Sequence, residues 1–119
     1  LACVVGKGDE VIILEPAYDL YLPAIELFGG KAVGIALDFP SYSINWEKVK
    51  QAITPQTKAI IVNTPHNPSG AIMTAQDMAQ LAALTENTNI IVISDEVYEH
   101  IIFDGQAHES VLRYPALRE

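Results

Sequence analysis

Three short runs of this sequence are apolar at nearly every position, and they constrain the fold more than any other feature. The runs are EVIIL, KAIIV and IIVI, and all three are rich in β-branched residues. A strand at the surface alternates apolar and polar side chains, whereas a strand buried on both faces does not. The three runs therefore predict strands in the interior of a sheet that is covered on both faces.

Segments with helical spacing separate these runs. YDLYLPAIELFGG closes on two glycines, INWEKVKQAI stops before Pro55, and KAVGIAL between them is a further strand. Thr74, with Asp77 three residues later, forms an acidic capping box for a helix that reaches about Thr85. The order β-α-β-α-β-α-β predicts an α/β domain of three αβα layers, with a mainly parallel sheet and helices on both faces.

Two finer expectations concern single segments. In the first helix the stripe Leu20, Ala24, Leu27 and Phe28 is expected to pack in the core. The run HIIF, near the end of the chain, predicts a short additional strand.

Composition excludes several classes of protein. The chain has 119 residues, which is the size of one ordinary domain, and a net charge of −8, which argues against nucleic acid and anionic membranes as partners. A single cysteine, Cys3, excludes an internal disulfide and is expected to be a buried apolar residue. The single cysteine fits a reducing, cytoplasmic setting, which is where we expect the protein. The sequence contains neither a run long and apolar enough to span a membrane nor a signal peptide. The ends, LACVV and PALRE, suggest a piece of a longer protein.

Polar and aromatic residues follow three of the four predicted strands. They lie in the segments Glu15–Tyr18, Asn63–Gly70 and Ser94–Tyr98. Ligands of open α/β sheets bind outside the carboxyl ends of the strands. These segments are therefore expected to converge on one site.

Each segment alone has an ordinary explanation. Prolines and a glycine usually form a simple turn. An acidic pair after an apolar strand also occurs in P-loop ATPases, but the G-x-x-x-x-G-K-[ST] loop is absent, as is the dinucleotide-binding G-x-G-x-x-G. An acyl- or nucleotide-binding α/β domain that uses the same edge of the sheet, and an interaction module, remain as alternatives.

Taken together, the motifs resemble one family. NTPHNPSG followed by a strand that ends in SDEVYE is similar to the fold-type-I pyridoxal-phosphate aminotransferases, and DEVIILEPAYDLYLPAIELFGG resembles the preceding segment of that family. The similarity extends over essentially the whole chain and is greatest to the kynurenine, methionine and glutamine aminotransferases and their cysteine-conjugate β-lyase relatives. It implies that residues 1–119 form the central part of the cofactor-binding large domain.

The resemblance implies a role for five residues. Asp95 matches the aspartate that pairs with the pyridine nitrogen of the cofactor, and Tyr98 matches the tyrosine that binds its ring oxygen. Asn67 matches the asparagine that shares this oxygen and orients the substrate carboxylate. Tyr18 matches the aromatic residue that stacks on the pyridine ring. Asn63 matches a pocket asparagine near cofactor and substrate.

The resemblance also implies the activity and the assembly. The parent enzyme moves an amino group between an L-amino acid and a 2-oxo acid, with β-elimination as an alternative, and acts as a homodimer. The peptide bonds before Pro16 and Pro68 are expected to be cis. The family's sheet order implies that the strands lie as third-fourth-first-second. The third strand would then be an open edge, and the isolated chain would self-associate.

The lysine that forms the Schiff base with the cofactor is expected downstream, so no catalytic residue is expected within this chain. Lys7, Lys31 and Lys58 precede strands, and Lys48 and Lys50 lie on a helix, far from the carboxyl edge. The isolated chain is therefore expected to be inactive.

The remaining ionisable residues are expected to be structural. Glu96 follows Asp95 and so points away from it, towards the end of a helix. His66, within the asparagine loop, is expected to serve the loop rather than the chemistry. His100 and His108 are expected in a loop or at the surface, and no metal site is expected.

Overall fold

The computed structural model describes residues 1–118, and in them a four-stranded parallel sheet carries helices on both faces. This confirms the predicted fold class. Helices and strands alternate along the chain as predicted. They are β1 (Glu10–Glu15), α1 (Tyr21–Leu27), β2 (Lys31–Ala36), α2 (Trp46–Ala52), β3 (Thr57–Asn63), α3 (Ala75–Thr85) and β4 (Ile91–Asp95), followed by two 3-10 helices at Val111–Arg113 and Pro115–Leu117.

Two hydrophobic clusters, one on each face of the sheet, form the core. Ile12 and Ile60 point to the face that α2 and α3 cover, where Val49, Met78 and Leu81 are also buried. Neighbouring residues of the same strands point to the opposite face, which α1 covers through Ile25; they are Val11, Ile13, Ala59 and Ile61. Strands β1 and β3 are therefore apolar throughout because they are buried on both faces.

The expected strand order is wrong. The strands lie in the order β2-β1-β3-β4, so the third strand is interior and pairs with both β1 and β4. Six of the seven residues of β3 are buried, which requires neighbours on both sides, whereas every residue of β4 is at least partly exposed. The edges within the described part of the chain are β2 and β4. Self-association of the isolated chain stays a prediction, with β4 as the open edge.

Helix α1 begins later than its sequence pattern indicated. It starts at Tyr21, which places Pro23 in the first turn, where a missing N–H removes no intrahelical hydrogen bond. The expected core stripe is wrong, because Leu20, Leu27 and Phe28 are exposed and Ile25 is the buried residue. The helix therefore faces the sheet through Tyr21 and Ile25.

Three local features were predicted from the sequence: the cis peptide bonds, the capping box of α3 and the burial of Cys3. The bonds before Pro16 and Pro68 are cis, as are those before Pro40 and Pro65. The capping box of Thr74 and Asp77 is present at the start of α3. Cys3 is exposed rather than buried.

The described residues lack two features. The run HIIF forms no strand in residues 1–118, which corrects the sequence-based expectation. No helix in this part of the chain is long and apolar enough to cross a membrane.

Candidate functional site

Three loops meet at the carboxyl edge of the sheet and enclose a cavity of about 310 Å³. The loops follow β1, β3 and β4, the same three strand ends that the sequence singled out. The cavity is lined by Tyr18, Asn63, Asn67, Asp95, Val97 and Tyr98. The structure thus brings all five sequence-predicted site residues into one cavity and adds Val97.

The pairing of β3 with β4 sets the relative position of the two motifs. Asn63 and Asp95 are register partners at the ends of these strands. The Asn63 amide joins the loops, because Oδ1 accepts the Asn67 backbone N–H at 2.7 Å and Nδ2 donates to the Asp95 carbonyl at 3.0 Å. The Thr64 N–H donates to the same carbonyl at 3.0 Å. Asn63 is therefore buried and links the loop after β3 to the end of β4, and it also lines the cavity.

The loop after β3 is closed by its own hydrogen bonds. The Gly70 N–H donates to the His66 carbonyl at 2.7 Å, and Gly70 has a φ of 74°, a conformation that glycine adopts without the strain a side chain would bring. The His66 side chain is buried, and its Nδ1 lies 2.7 Å from Ser69 Oγ. This geometry presents Asn67 to the cavity.

His66 also contacts the loop that follows β1. Burial lowers the pKa of His66, and contacts with the backbone carbonyls of Leu14 and Pro16 partly oppose that shift. The histidine is therefore neutral at physiological pH and joins the loop that carries Tyr18 to the loop that carries Asn67. In the structure His66 holds these two loops together, a role that the sequence did not indicate.

The lowered pKa of His66 predicts that acid destabilises this region. The unfolded chain binds a proton near the ordinary histidine pKa of about 6.5 and the folded chain does so only at lower pH, so the unfolding free energy falls as the pH drops below that value. We expect His66→Gln to reduce this loss between pH 7.5 and 5.5 in denaturant titrations of the full-length protein. His100→Gln is the matched control, because that side chain is 92% exposed. Equal acid sensitivity in wild type and His66→Gln would contradict the assignment.

Asp95 carries a carboxylate at the wall of the cavity. Its Oδ2 accepts a hydrogen bond from the Tyr21 hydroxyl at 2.5 Å, and its Oδ1 accepts one from the Val97 N–H at 3.3 Å. The long second bond leaves Oδ1 with capacity for another donor. The Tyr21 contact was not predicted from the sequence, where Tyr21 is one of several aromatic residues in a helical pattern.

Glu96 points away from Asp95 and binds the segment that follows, as the sequence indicated. Its Oε1 accepts the Val111 N–H, which opens the first 3-10 helix, and its Oε2 lies 2.7 Å from His108 Nε2. Burial alone would raise the pKa of Glu96, but hydrogen bonds from His108 and other donors outweigh it and lower the pKa. Glu99 lies close enough to Glu96 and His108 for the three side chains to form a group of possible metal ligands. The hydrogen bonds of Glu96 to His108 and Val111 hold the segment that follows β4 against the end of that strand.

Three polar groups in the cavity have no hydrogen-bond partner within residues 1–118. They are the side-chain amide of Asn67 and the hydroxyls of Tyr18 and Tyr98. Together with the Asp95 carboxylate they offer donors, acceptors and aromatic faces to one bound molecule. The cavity can therefore bind a polar ligand through hydrogen bonds, one negative charge and aromatic faces.

Comparison with known proteins agrees with this geometry. A family model described as aminotransferase class I and II matches residues 1–118. The chain belongs to this family. A curated methionine aminotransferase from Escherichia coli is 44% identical over the whole chain, and a probable kynurenine–oxoglutarate transaminase from Saccharomyces cerevisiae is 42% identical over 87% of it. This confirms the family, and the similarity to methionine and kynurenine aminotransferases, that the sequence motifs indicated.

Solved aminotransferase structures share the fold. A methionine aminotransferase structure from E. coli superposes with a TM-score of 0.96 at 45% identity over 99% of the chain. The N-succinyldiaminopimelate aminotransferase of Mycobacterium tuberculosis gives a TM-score of 0.94 at 36% identity over 99% of the chain. The chain spans only 31% of each of these structures and 26–31% of the two curated relatives.

The cavity fits the cofactor that the family implies. Pyridoxal phosphate has a flat pyridine ring with a basic nitrogen and a neighbouring ring oxygen. The Asp95 carboxylate suits the nitrogen, and the unpartnered groups of Asn67 and Tyr98 suit the oxygen. Tyr18, in the loop that follows β1, offers an aromatic face. The residues present therefore suit the pyridine ring of this cofactor.

Proposed function

We propose that this chain is the central part of the cofactor-binding large domain of a pyridoxal-phosphate-dependent aminotransferase. The reaction moves an amino group between an L-amino acid and a 2-oxo acid. The observation that carries the proposal is the convergence of Tyr18, Asn67, Asp95 and Tyr98 on one cavity at the carboxyl edge of the sheet. Family membership supports it, because the relatives named above are all aminotransferases.

Each of these side chains has a distinct task. When bound, pyridoxal phosphate supplies an electron sink for reactions at the α-carbon of an amino acid. Asp95 holds a proton on the ring nitrogen, because a negative charge at hydrogen-bond distance favours the protonated form. Tyr98 and Asn67 donate to the ring oxygen and so fix the rotation of the ring. Tyr18 covers one face of the ring and excludes water from it.

Asn63 and Asn67 also serve the substrate in this proposal. The Asn67 amide reaches the cavity and orients the substrate carboxylate. Asn63 holds Asn67 in place through the 2.7 Å bond to its backbone N–H, so its contribution to substrate binding is made largely through its neighbour.

The lysine that holds the cofactor and moves the substrate proton lies outside residues 1–119 in this proposal. Lys31 starts β2 and pairs with Glu10 at 2.8 Å, and Lys58 lies near the start of β3. Lys48 on α2 pairs with Asp38 at 2.8 Å. These positions are at the amino edge or on the helical layer, and none lines the cavity.

The function is tested on two proteins in parallel. We expect the full-length protein to bind pyridoxal phosphate through a lysine that borohydride reduction and mass spectrometry identify, and to transfer amino groups to a 2-oxo acid. We expect the isolated 119-residue chain to show neither covalent attachment nor turnover. Turnover by the isolated chain, or attachment to one of its five lysines, would contradict the placement of the lysine. A full-length protein that binds no cofactor would refute the function.

The proposal also covers the amino donor, the oligomeric state and the cellular compartment. Methionine, glutamine or an aromatic amino acid is the proposed amino donor. The methionine and kynurenine aminotransferases named above support methionine and an aromatic donor, and glutamine rests on the resemblance of the motifs. We propose a homodimer in the cytoplasm as the working form. Size measurement of the full-length protein by light scattering tests the dimer.

A further inference from the structure

Tyr21 links two groups of the cavity without lining it. Its hydroxyl donates to Asp95 Oδ2 at 2.5 Å, although the two residues are 74 positions apart in the chain. Its ring meets the ring of Tyr18 edge to face, with centroids 5.6 Å apart and an interplanar angle of 79°. One side chain therefore contacts both the proposed partner of the ring nitrogen and the proposed cover of the ring face.

Local structure fixes the position of Tyr21. It is the first residue of α1, and its N–H donates to the Tyr18 carbonyl at 3.1 Å. One turn later Ile25 is fully buried against the sheet, and Tyr21 packs against the same hydrophobic cluster. The phenol ring is thus anchored at its base by the core, and its hydroxyl reaches the end of β4.

The hydroxyl of Tyr21 is a permanent donor. Burial, followed by the hydrogen bond to Asp95, holds the pKa of Tyr21 far above its usual value of about 10. The proton therefore stays on the phenol at any physiological pH. A neutral donor orients a carboxylate without cancelling its charge, and within residues 1–118 no lysine, arginine or histidine forms an ion pair with Asp95.

We propose that Tyr21 is a positioning residue of the aminotransferase site, which orients the Asp95 carboxylate and sets its affinity for the proton of the ring nitrogen. This inference rests on the proposed function. A hydrogen bond donated to a carboxylate favours the charged form. Without that bond, Asp95 competes more strongly for the shared proton, and the ring nitrogen is protonated to a smaller extent.

Tyr21→Phe in the full-length protein tests the proposal, because it removes the hydroxyl and keeps the ring. We expect the nitrogen-15 resonance of labelled pyridoxal phosphate to move towards the position of unprotonated pyridine. Cofactor affinity is expected to fall about tenfold, which is the lower range for a lost hydrogen bond to a charged group. Tyr114→Phe is the matched control, since its hydroxyl also donates to a carboxylate, Glu109 Oε2 at 2.8 Å, outside the cavity. We expect the control to match wild type in both measurements.

A double-mutant cycle separates positioning from packing. If Tyr21 acts through the Asp95 charge, Tyr21→Phe weakens cofactor binding much less when Asp95→Asn is already present. If loss of the hydroxyl only loosens the fold, the loss of affinity is the same in both backgrounds, and this result overturns the proposal. So does a Tyr21→Phe protein with the wild-type resonance and affinity.

The wild-type protein distinguishes this failure from failure of the proposed function. A wild type that binds the cofactor, with a Tyr21→Phe variant indistinguishable from it, overturns only the role of Tyr21. A wild type that does not bind pyridoxal phosphate overturns the proposed function and this inference together.

Discussion

Asp95→Asn is expected to reduce kcat/KM of the full-length protein about a thousandfold. Asparagine keeps the shape of the side chain and can still accept the Tyr21 hydroxyl, but it removes the negative charge. A charge pair at about 4 Å contributes roughly 4 kcal/mol at an effective dielectric constant near 20, and each 1.36 kcal/mol corresponds to about tenfold in rate. Steady-state amine transfer with a fixed 2-oxo acid measures the effect.

The control for this substitution is Asp104→Asn. Asp104 is exposed in a turn and has a φ of 58°, a conformation that asparagine also tolerates well, so the control makes the same chemical change without structural strain. We expect it to keep the wild-type rate. An Asp95→Asn enzyme with near-normal kcat/KM would refute the role of the Asp95 charge.

Asn63→Asp is expected to lower the unfolding free energy of the full-length protein by about 2–4 kcal/mol at neutral pH. The new carboxylate would face the Asp95 carbonyl, to which the Asn63 amide now donates at 3.0 Å. Burial and this facing oxygen would raise the pKa of the new aspartate above its unfolded value. The folded protein would then take up the proton first, so stability relative to wild type should return as the pH falls towards 5.5.

Asn63→Ala is the matched variant for this test. It loses both amide hydrogen bonds and introduces no titratable group, so its deficit relative to wild type should stay constant with pH. Denaturant titrations of the three proteins between pH 7.5 and 5.5 give the comparison. A deficit of Asn63→Asp that does not shrink in acid would show that the amide donor is not the property that matters at this position.

The strands and the cavity were predictable from the sequence because they depend on local patterns. A continuous apolar run such as KAIIV indicates burial on both faces, and β3 is buried in that way. Residues that directly follow parallel strands must emerge at one edge, which is why Asn67, Asp95 and Tyr98 could be placed together. The capping box of Thr74 and Asp77 is likewise local, and it is confirmed.

Strand order and long-range contacts were not predictable in the same way. The neighbour of a strand depends on how four similar apolar surfaces pack, and the family-based order wrongly placed β3 at an edge. The contact of Tyr21 with Asp95 joins a helix start to a distant strand end, and no spacing in the sequence encodes it. The prediction that Leu27 and Phe28 pack in the core was also wrong, because the sequence of a seven-residue helix defines its apolar face poorly.

The register of β3 and β4 also determines where this chain tolerates changes of length in evolution. Side chains alternate between the faces of a strand, so deleting one residue within β4 would bring Glu96 into the place where Asp95 pairs with Asn63. The acid would survive in a longer side chain that now binds His108 and Val111. The turn between α3 and β4 carries no such constraint. Insertions and deletions among homologues should therefore accumulate at Asn87–Asn89 and be absent from Ile91–Asp95.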